Sequence, residues 1–383
     1  MNICLLPLNM GDCNWGQVVL VEGLVDVPKI DGNGSILDGR AKISLREDSR
    51  RGGGYRRSSL DKLKTLCAFL IICIHAPFPG VIGEYFTSLT RIGVPIFFMI
   101  TGFFYSYPTA KRQIKKILVL FISSNLLYLL WKIALTAVKG EISRFLSKIF
   151  TVKNMVKFLL LNESYLQSHL WYLGAILYVL ILVTMIFRLE QKHRWKLKKA
   201  LYILVSFLLL GDLVLGKYSL LLLHQEFPYI IVRNWLFVGL PYFTIGMWLK
   251  EHLEYVETKA RKNKLFAIIS VTTITTLIER YMLVTNNLNP TRDHYLSTTF
   301  LAISVFLFFL FYISPKKSML SRIGKQDSTW IYILHPILIT ILDTAMKHIG
   351  IGEVYNDLRP TIVFSVTTVV VEVVMIAQKK IRA

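Results

Sequence analysis

Residues 169–187 read HLWYLGAILYVLILVTMIF, and residues 188–199 read RLEQKHRWKLKK. The first stretch holds no Asp, Glu, Lys or Arg in nineteen residues, and the second holds six basic side chains. At about 1.5 Å per residue, roughly 20 apolar residues make a helix as long as the hydrocarbon core of a bilayer is thick. A short basic segment at the end of such a helix is the pattern of a cytoplasmic loop facing anionic lipid. The same pair of features recurs along the chain, and it decides the fold class.

Working outward, apolar blocks of spanning length lie near 60–77, 91–107, 114–136, 169–187, 199–215, 233–249, 265–283, 296–313, 328–346 and 361–377. They predict an all-α integral membrane protein, a bundle of about ten transmembrane helices. Asp212 and Lys217 shorten the fifth block. The connections alternate in charge. Basic residues open the first helix at Arg56, Arg57, Lys62 and Lys64, and follow the second at Lys111, Arg112, Lys115 and Lys116. They recur after the fourth, sixth and eighth blocks and in the tail at Lys379, Lys380 and Arg382, whereas 78–90 has no Lys or Arg. Every second connection therefore faces the cytoplasm, which puts both termini of a multi-pass cell-membrane protein there. Segment 137–168 breaks the alternation with Lys139, Arg144, Lys148, Lys153 and Lys157. Its Phe145, Ile149, Val152, Val156 and Leu160 recur at helical spacing, which predicts an amphipathic helix on the outer surface between helices 3 and 4. As an extra span, its lysines would each cost about 2.5–3.5 kcal/mol at the helix centre.

Composition agrees. The chain has 383 residues, 54% of them hydrophobic and 18% charged, with a formal net charge of +21. A soluble chain so basic would suggest nucleic acid, but here the Lys and Arg gather in short joints between apolar blocks, which excludes that class of partner. Cys4, Cys13, Cys67 and Cys73 have no zinc-site spacing, so neither a metal centre nor a disulfide framework is expected. Residues 1–56 are rich in Gly and Asp and lack a sustained period. Without a basic start or an unbroken apolar core they do not read as a secretory signal, and they are expected to be a disordered extension ahead of a membrane domain over 57–383.

Ionisable residues inside spans are functional candidates. With odd helices running outward, His75, Arg91, His169, Arg233, Glu279 and Asp293 all fall at the outer ends of helices, and His335 lies near mid-membrane in the ninth. Helix-end charges that reach for the interface would account for any one of them. The set, with three histidines, predicts a cavity open to the outer half. Lys64 and His75 stand 11 residues apart on the first helix, within about 20° of the same face and roughly 16 Å apart along the axis, with Asp61 one turn below Lys64.

The segment Ser59-Leu-Asp-Lys-Leu-Lys-Thr-Leu-Cys-Ala-Phe-Leu-Ile-Ile-Cys-Ile-His75 resembles the opening helix of the acyltransferase-3 family of integral membrane acyltransferases, which carries a basic residue, ten spacers and a histidine. Lys64 stands where Arg is usual, so a bidentate fork for phosphate is lost there. Arg91-Ile-Gly-Val-Pro-Ile-Phe-Phe-Met-Ile-Thr-Gly-Phe103 is similar to the second-helix motif, with Thr101 keeping the hydroxyl of the usual Ser. His169-Leu-Trp-Tyr-Leu173 and Ile331-Tyr-Ile-Leu-His-Pro336 resemble two further signatures. Arg233-Asn234, Glu279 with Tyr281, and Asp293 look similar to the branch that forms the membrane half of serine-racemase-type vancomycin-resistance proteins, where a soluble racemase domain follows.

The resemblance implies transfer of an acyl group, commonly acetyl, from cytoplasmic acyl-CoA to a hydroxyl of a cell-envelope carbohydrate outside, with no tightly bound cofactor. A sugar hydroxyl needs a base near neutral pH, and His75 is the expected one. Lys64 is expected to steer the phosphates of coenzyme A, and Asp61, Arg91, His169, Arg233, Glu279, Asp293 and His335 to bind substrate. The reading requires the imidazoles of the first and ninth helices to share a pocket. Two alternatives stay open: a transporter, as the racemase-linked branch suggests for L-serine, and an inactive membrane scaffold. A midplane site with charged residues suits transport, although no internal repeat or pair of broken helices is legible.

Overall fold

The structure, a computed structural model, describes residues 53–193, 196–288 and 293–382. The expected extension over 1–56 therefore lies outside the described residues, apart from Gly53 onward, where the first helix begins. Among the described residues every regular element is helical. In chain order they are α1 (Gly53–His75), α2 (Gly80–Thr90), α3 (Gly93–Phe103), α4 (Ala110–Val138), α5 (Ile142–Ile149), α6 (Val152–Leu161), α7 (Trp171–His193) and α8 (Leu197–Asp212). There follow α9 (Ser219–Leu223), α10 (Leu240–Glu251), α11 (Leu253–Lys259), α12 (Lys262–Thr285), α13 (Thr298–Tyr312), α14 (Met319–Gln326), α15 (Ser328–Ile349) and α16 (Gly352–Arg382).

Among the described residues, seven stretches are long and apolar enough to cross a membrane: Gly80–Phe103, Tyr107–Val138, Ser168–His193, Leu197–Lys217, Lys262–Thr285, Ser328–Ile349 and Gly352–Gln378. The chain is an all-α, multi-pass membrane protein. Helices also stand at the three remaining places where a span is expected. There α13 is shorter, the turns from Trp235 through α10 are short, and α1 carries Asp61, Lys62 and Lys64. Lipid contact is legible on α12, which exposes Val271, Ile274 and Ile278 at helical spacing.

Helix α1 lies at the centre, packed against α2, α3, α13, α14, α15 and α16. Its Leu60, Leu63, Cys67, Ala68 and Ile72 are buried. It tolerates charge because Lys64 Nζ and Asp61 Oδ1 pair at 2.7 Å, both buried. Backbones approach closely where α3 crosses α10. A Cβ on Gly102 would stand 1.9 Å from Phe243 O, and one on Gly246 would stand 2.0 Å from Met99 O. Small residues are what let membrane helices touch in this way.

Two joints differ from expectation. Segment 137–168 holds two short helices, α5 and α6, instead of one. Phe150 leaves the helical region at ψ 49° and Thr151 caps the new start by accepting from Asn154 N at 3.2 Å. No residue of either helix is fully buried. Residues 80–90, read as part of a loop, form α2, which runs almost directly into α3 with Arg91 at the joint.

Candidate active site

Three helices bring three imidazoles together. His75 is the last residue of α1, His169 sits in the single 3-10 turn Ser168–Leu170 that opens α7, and His335 lies within α15. Ring centroids stand 5.1 Å apart for His75 and His335, 5.2 Å for His169 and His335, and 6.2 Å for His75 and His169. The first and ninth expected spans thus share a pocket. His169 and His335 are buried, while His75 is half-buried. His335 Nδ1 lies 3.1 Å from Ile331 O. A carbonyl only accepts, so Nδ1 holds the proton and the buried Nε2, which has no hydrogen-bond partner, presents its lone pair. Both ring nitrogens of His169 are likewise buried without a partner. Groups left unsatisfied at such cost belong to sites more often than to packing.

Tyrosines frame the trio. Tyr128 and Tyr332 stack edge-on against His169 at 5.2 and 5.1 Å. Tyr332 Oη donates to His169 O, and Tyr128 Oη donates to Ile333 O at 2.6 Å. Pro336 lacks an N–H, which removes the helical hydrogen bond to Tyr332 O beside His335.

A charged rim adjoins the histidines. Arg91 Nη1 stands 2.5 Å from Asp293 Oδ1, and Arg233 Nε stands 3.5 Å from Asp293 Oδ2. Burial pushes the Asp293 carboxyl up, but Arg91 and Arg233 together outweigh it and hold it well below the usual carboxylate range. His294 Nδ1 meets Asp212 Oδ2 at 2.6 Å, with both residues buried. Burial disfavours a charged His294, yet Asp212 outweighs burial and holds the imidazole above its ordinary value. Between these groups lies a narrow cleft, lined among others by His75, His169, Arg91, Arg233, Asp293 and His294.

Backbone irregularities place two sides of this cleft. The π-helical turn Trp235–Gly239 is opened by Asn234, which accepts from Leu236 N at 2.8 Å and from Phe237 N at 3.1 Å. Asn162, at φ 53°, donates to Trp171 O at 2.8 Å and accepts from Trp235 N at 3.0 Å, tying the start of α7 to that turn. A second π-helical turn, Leu213–Lys217, ends α8 just beyond Asp212. Such turns are rare and concentrate at functional sites.

Of the residues singled out in the sequence, His75, His169, His335, Arg91, Arg233 and Asp293 converge. Glu279 stands beside the rim, accepting from Tyr218 Oη and from Leu296 N at 2.8 Å. Lys64 and Asp61 lie nearer the middle of α1, roughly 16 and 21 Å from His75 by helical rise, and are not brought to the cleft. Sequence reasoning missed the roles of Tyr332, Tyr128 and the Asp212–His294 pair. Asp212 left a signal, since an acid interrupting a span is itself a pointer. Among the described residues no three His, Cys, Asp or Glu side chains are arranged to hold a metal ion.

Comparison with known proteins adds the following. The profile of a family described as "Acyltransferase domain" matches residues 57–377. The chain is similar to a serine/alanine racemase of Enterococcus gallinarum, 26% identical over 340 residues that cover 82% of this chain and 45% of that protein. It is also similar to an amino-acid racemase of Enterococcus faecalis, 26% identical over 322 residues, 78% of this chain and 43% of that protein. The chain thus spans less than half the length of either relative. No solved structure gives a significant match.

Proposed function

The chain belongs to the acyltransferase-3 family of integral membrane acyltransferases, and on that premise we propose that it is an acyl-transferring enzyme that moves an acetyl group from cytoplasmic acetyl-CoA to a hydroxyl of an extracytoplasmic cell-envelope glycan. The observation that carries this reading is the cluster of His75, His169 and His335, with ring centroids within 6.2 Å of one another beside a cleft.

In this reading His75, the half-buried member that lines the cleft, takes the proton of the acceptor hydroxyl. The alkoxide oxygen forms the new C–O bond at the thioester carbonyl, the C–S bond breaks and coenzyme A leaves as the thiolate. His335 and His169 hold the base in place and keep the surroundings neutral enough for an unprotonated imidazole. Lys64, paired with Asp61 about three turns before His75 on the same helix, attracts the donor's phosphates as a point charge.

His75→Ala is expected to lower transfer of label from acyl-CoA to envelope glycan by about 10²- to 10⁴-fold, the usual worth of a general base, while the protein still inserts in the membrane. Unchanged transfer would remove His75 from the mechanism. A second reading is amino-acid uptake, which the resemblance to racemase-linked membrane domains suggests; the two relatives are named as racemases that act on amino acids. It requires serine to enter sealed vesicles without an acyl donor, so a serine-uptake assay run beside an acetyl-release assay separates the two.

A further inference from the structure

The rim of the cleft carries more positive charge than its carboxylate answers. Arg91 and Arg233 come from different segments, at the α2–α3 joint and just before Trp235, and both meet Asp293. Two guanidiniums facing one carboxylate leave one charge over. The neighbouring groups do not absorb it. A protonated His294 is answered by Asp212 at 2.6 Å. Arg280 pairs with Glu84 at 2.7 Å, and Lys217 has Glu279 within electrostatic reach.

Arg233 is also held as a recognition group is held. Its guanidinium lies over the rings of Trp171 and Tyr229, 5.1 Å from each centroid, which fixes its plane and leaves its edge for hydrogen bonding. Its Nε is buried without a hydrogen-bond partner, because Asp293 Oδ2 at 3.5 Å is not aligned to accept from it. A structural ion pair needs one arginine for one aspartate. Here a second one, stacked and under-satisfied, lines the same cleft as His75.

We propose that the rim, with Arg233 as its principal donor and Arg91 beside it, is a subsite for a monoanionic oxygen group, a carboxylate or a phosphodiester, carried by the acceptor close to the hydroxyl that is acylated. This rests on reading the cleft as the acceptor site. The surplus is a single charge, which matches a monoanion and not the polyphosphate of coenzyme A.

The test is binding to the purified full chain at constant ionic strength, followed by displacement of its melting curve. The probes are glucuronate, its neutral amide glucuronamide, glycerophosphoglycerol and free coenzyme A. Glucuronate, glycerophosphoglycerol or both are expected to bind about tenfold tighter than glucuronamide, as for charge-assisted hydrogen bonds; which of the two binds identifies the source of the anion. Asp293→Asn frees more positive charge and is expected to increase that preference several-fold, while Arg233→Gln abolishes it. Equal binding of charged and neutral probes by the unaltered protein overturns the inference. So does a loss of preference in folded Asp293→Asn protein, which is what a purely structural triad would give. Competition by coenzyme A that is lost together with glucuronate binding in Arg233→Gln would assign the rim to the donor and also overturn it. Preference for the anion with no acyl transfer to any acceptor would leave this subsite standing and sink the transferase chemistry instead.

Discussion

His294 and Asp212 are linked by 2.6 Å between Nδ1 and Oδ2, in a place where neither has ready access to solvent. A buried pair that loses one partner is destabilised by about 3–5 kcal/mol. Because the folded pKa of His294 is raised above the ordinary 6.5, the pair's contribution is fully present below pH 6.5 and is lost as pH rises through the raised value. The melting temperature of the detergent-solubilised protein should therefore fall as pH rises above 6.5. Asp212→Asn should lower it at pH 6 and flatten the slope, and a variant with the unaltered slope would refute the pairing. Asp293 works with the opposite sign. Its pKa is depressed from 3.8, so its contribution is complete above that value and is lost only as pH falls through the lower folded value. It adds nothing to the slope above pH 6.5.

Among the elements, the crossing of α3 and α10 sets how close the π-helical turn at Trp235 comes to the histidines, because that turn leads directly into α10. The crossing depends on Gly102 and Gly246, where any Cβ would enter the partner's backbone. Overpacking of this kind costs about 1–3 kcal/mol, and more where backbone must move. Gly246→Ala should lower the melting temperature and the yield of monodisperse protein on size-exclusion chromatography. Gly352→Ala, whose nearest neighbour is 4.0 Å away, is the control that should leave both unchanged. Equal behaviour of the two variants would show that the close approach is not needed.

For the whole molecule, the remaining question is orientation. Alternating basic connections call for both ends of the domain in the cytoplasm and for 137–168 outside. Topology reporters fused after Thr151 and after Ala383 should report opposite sides of the membrane. The same side for both would give an even number of spans between them, and would put the charged rim and the basic loops on the wrong faces for a cytoplasmic donor and an external acceptor.

The sequence by itself determined that the chain is an all-α, multi-pass membrane protein and that histidines and arginines crowd toward one set of helix ends. These are local properties, since span length and flanking charge follow from the transfer energies of neighbouring residues. The motifs around His75, Arg91, His169 and His335 were legible for the same reason, being contiguous. Tertiary structure decided which of these residues meet. It joined His75, His169 and His335, left Lys64 and Asp61 away from them on α1, and paired Asp212 of α8 with His294 in the loop before α13. Helix association in lipid rests on close packing and interhelical hydrogen bonds, not on a hydrophobic period, so no spacing along the chain announces those partners. The π-helical turn at Trp235 was equally hidden, because it arises from backbone that Asn234 and Asn162 satisfy only once the helices are in place.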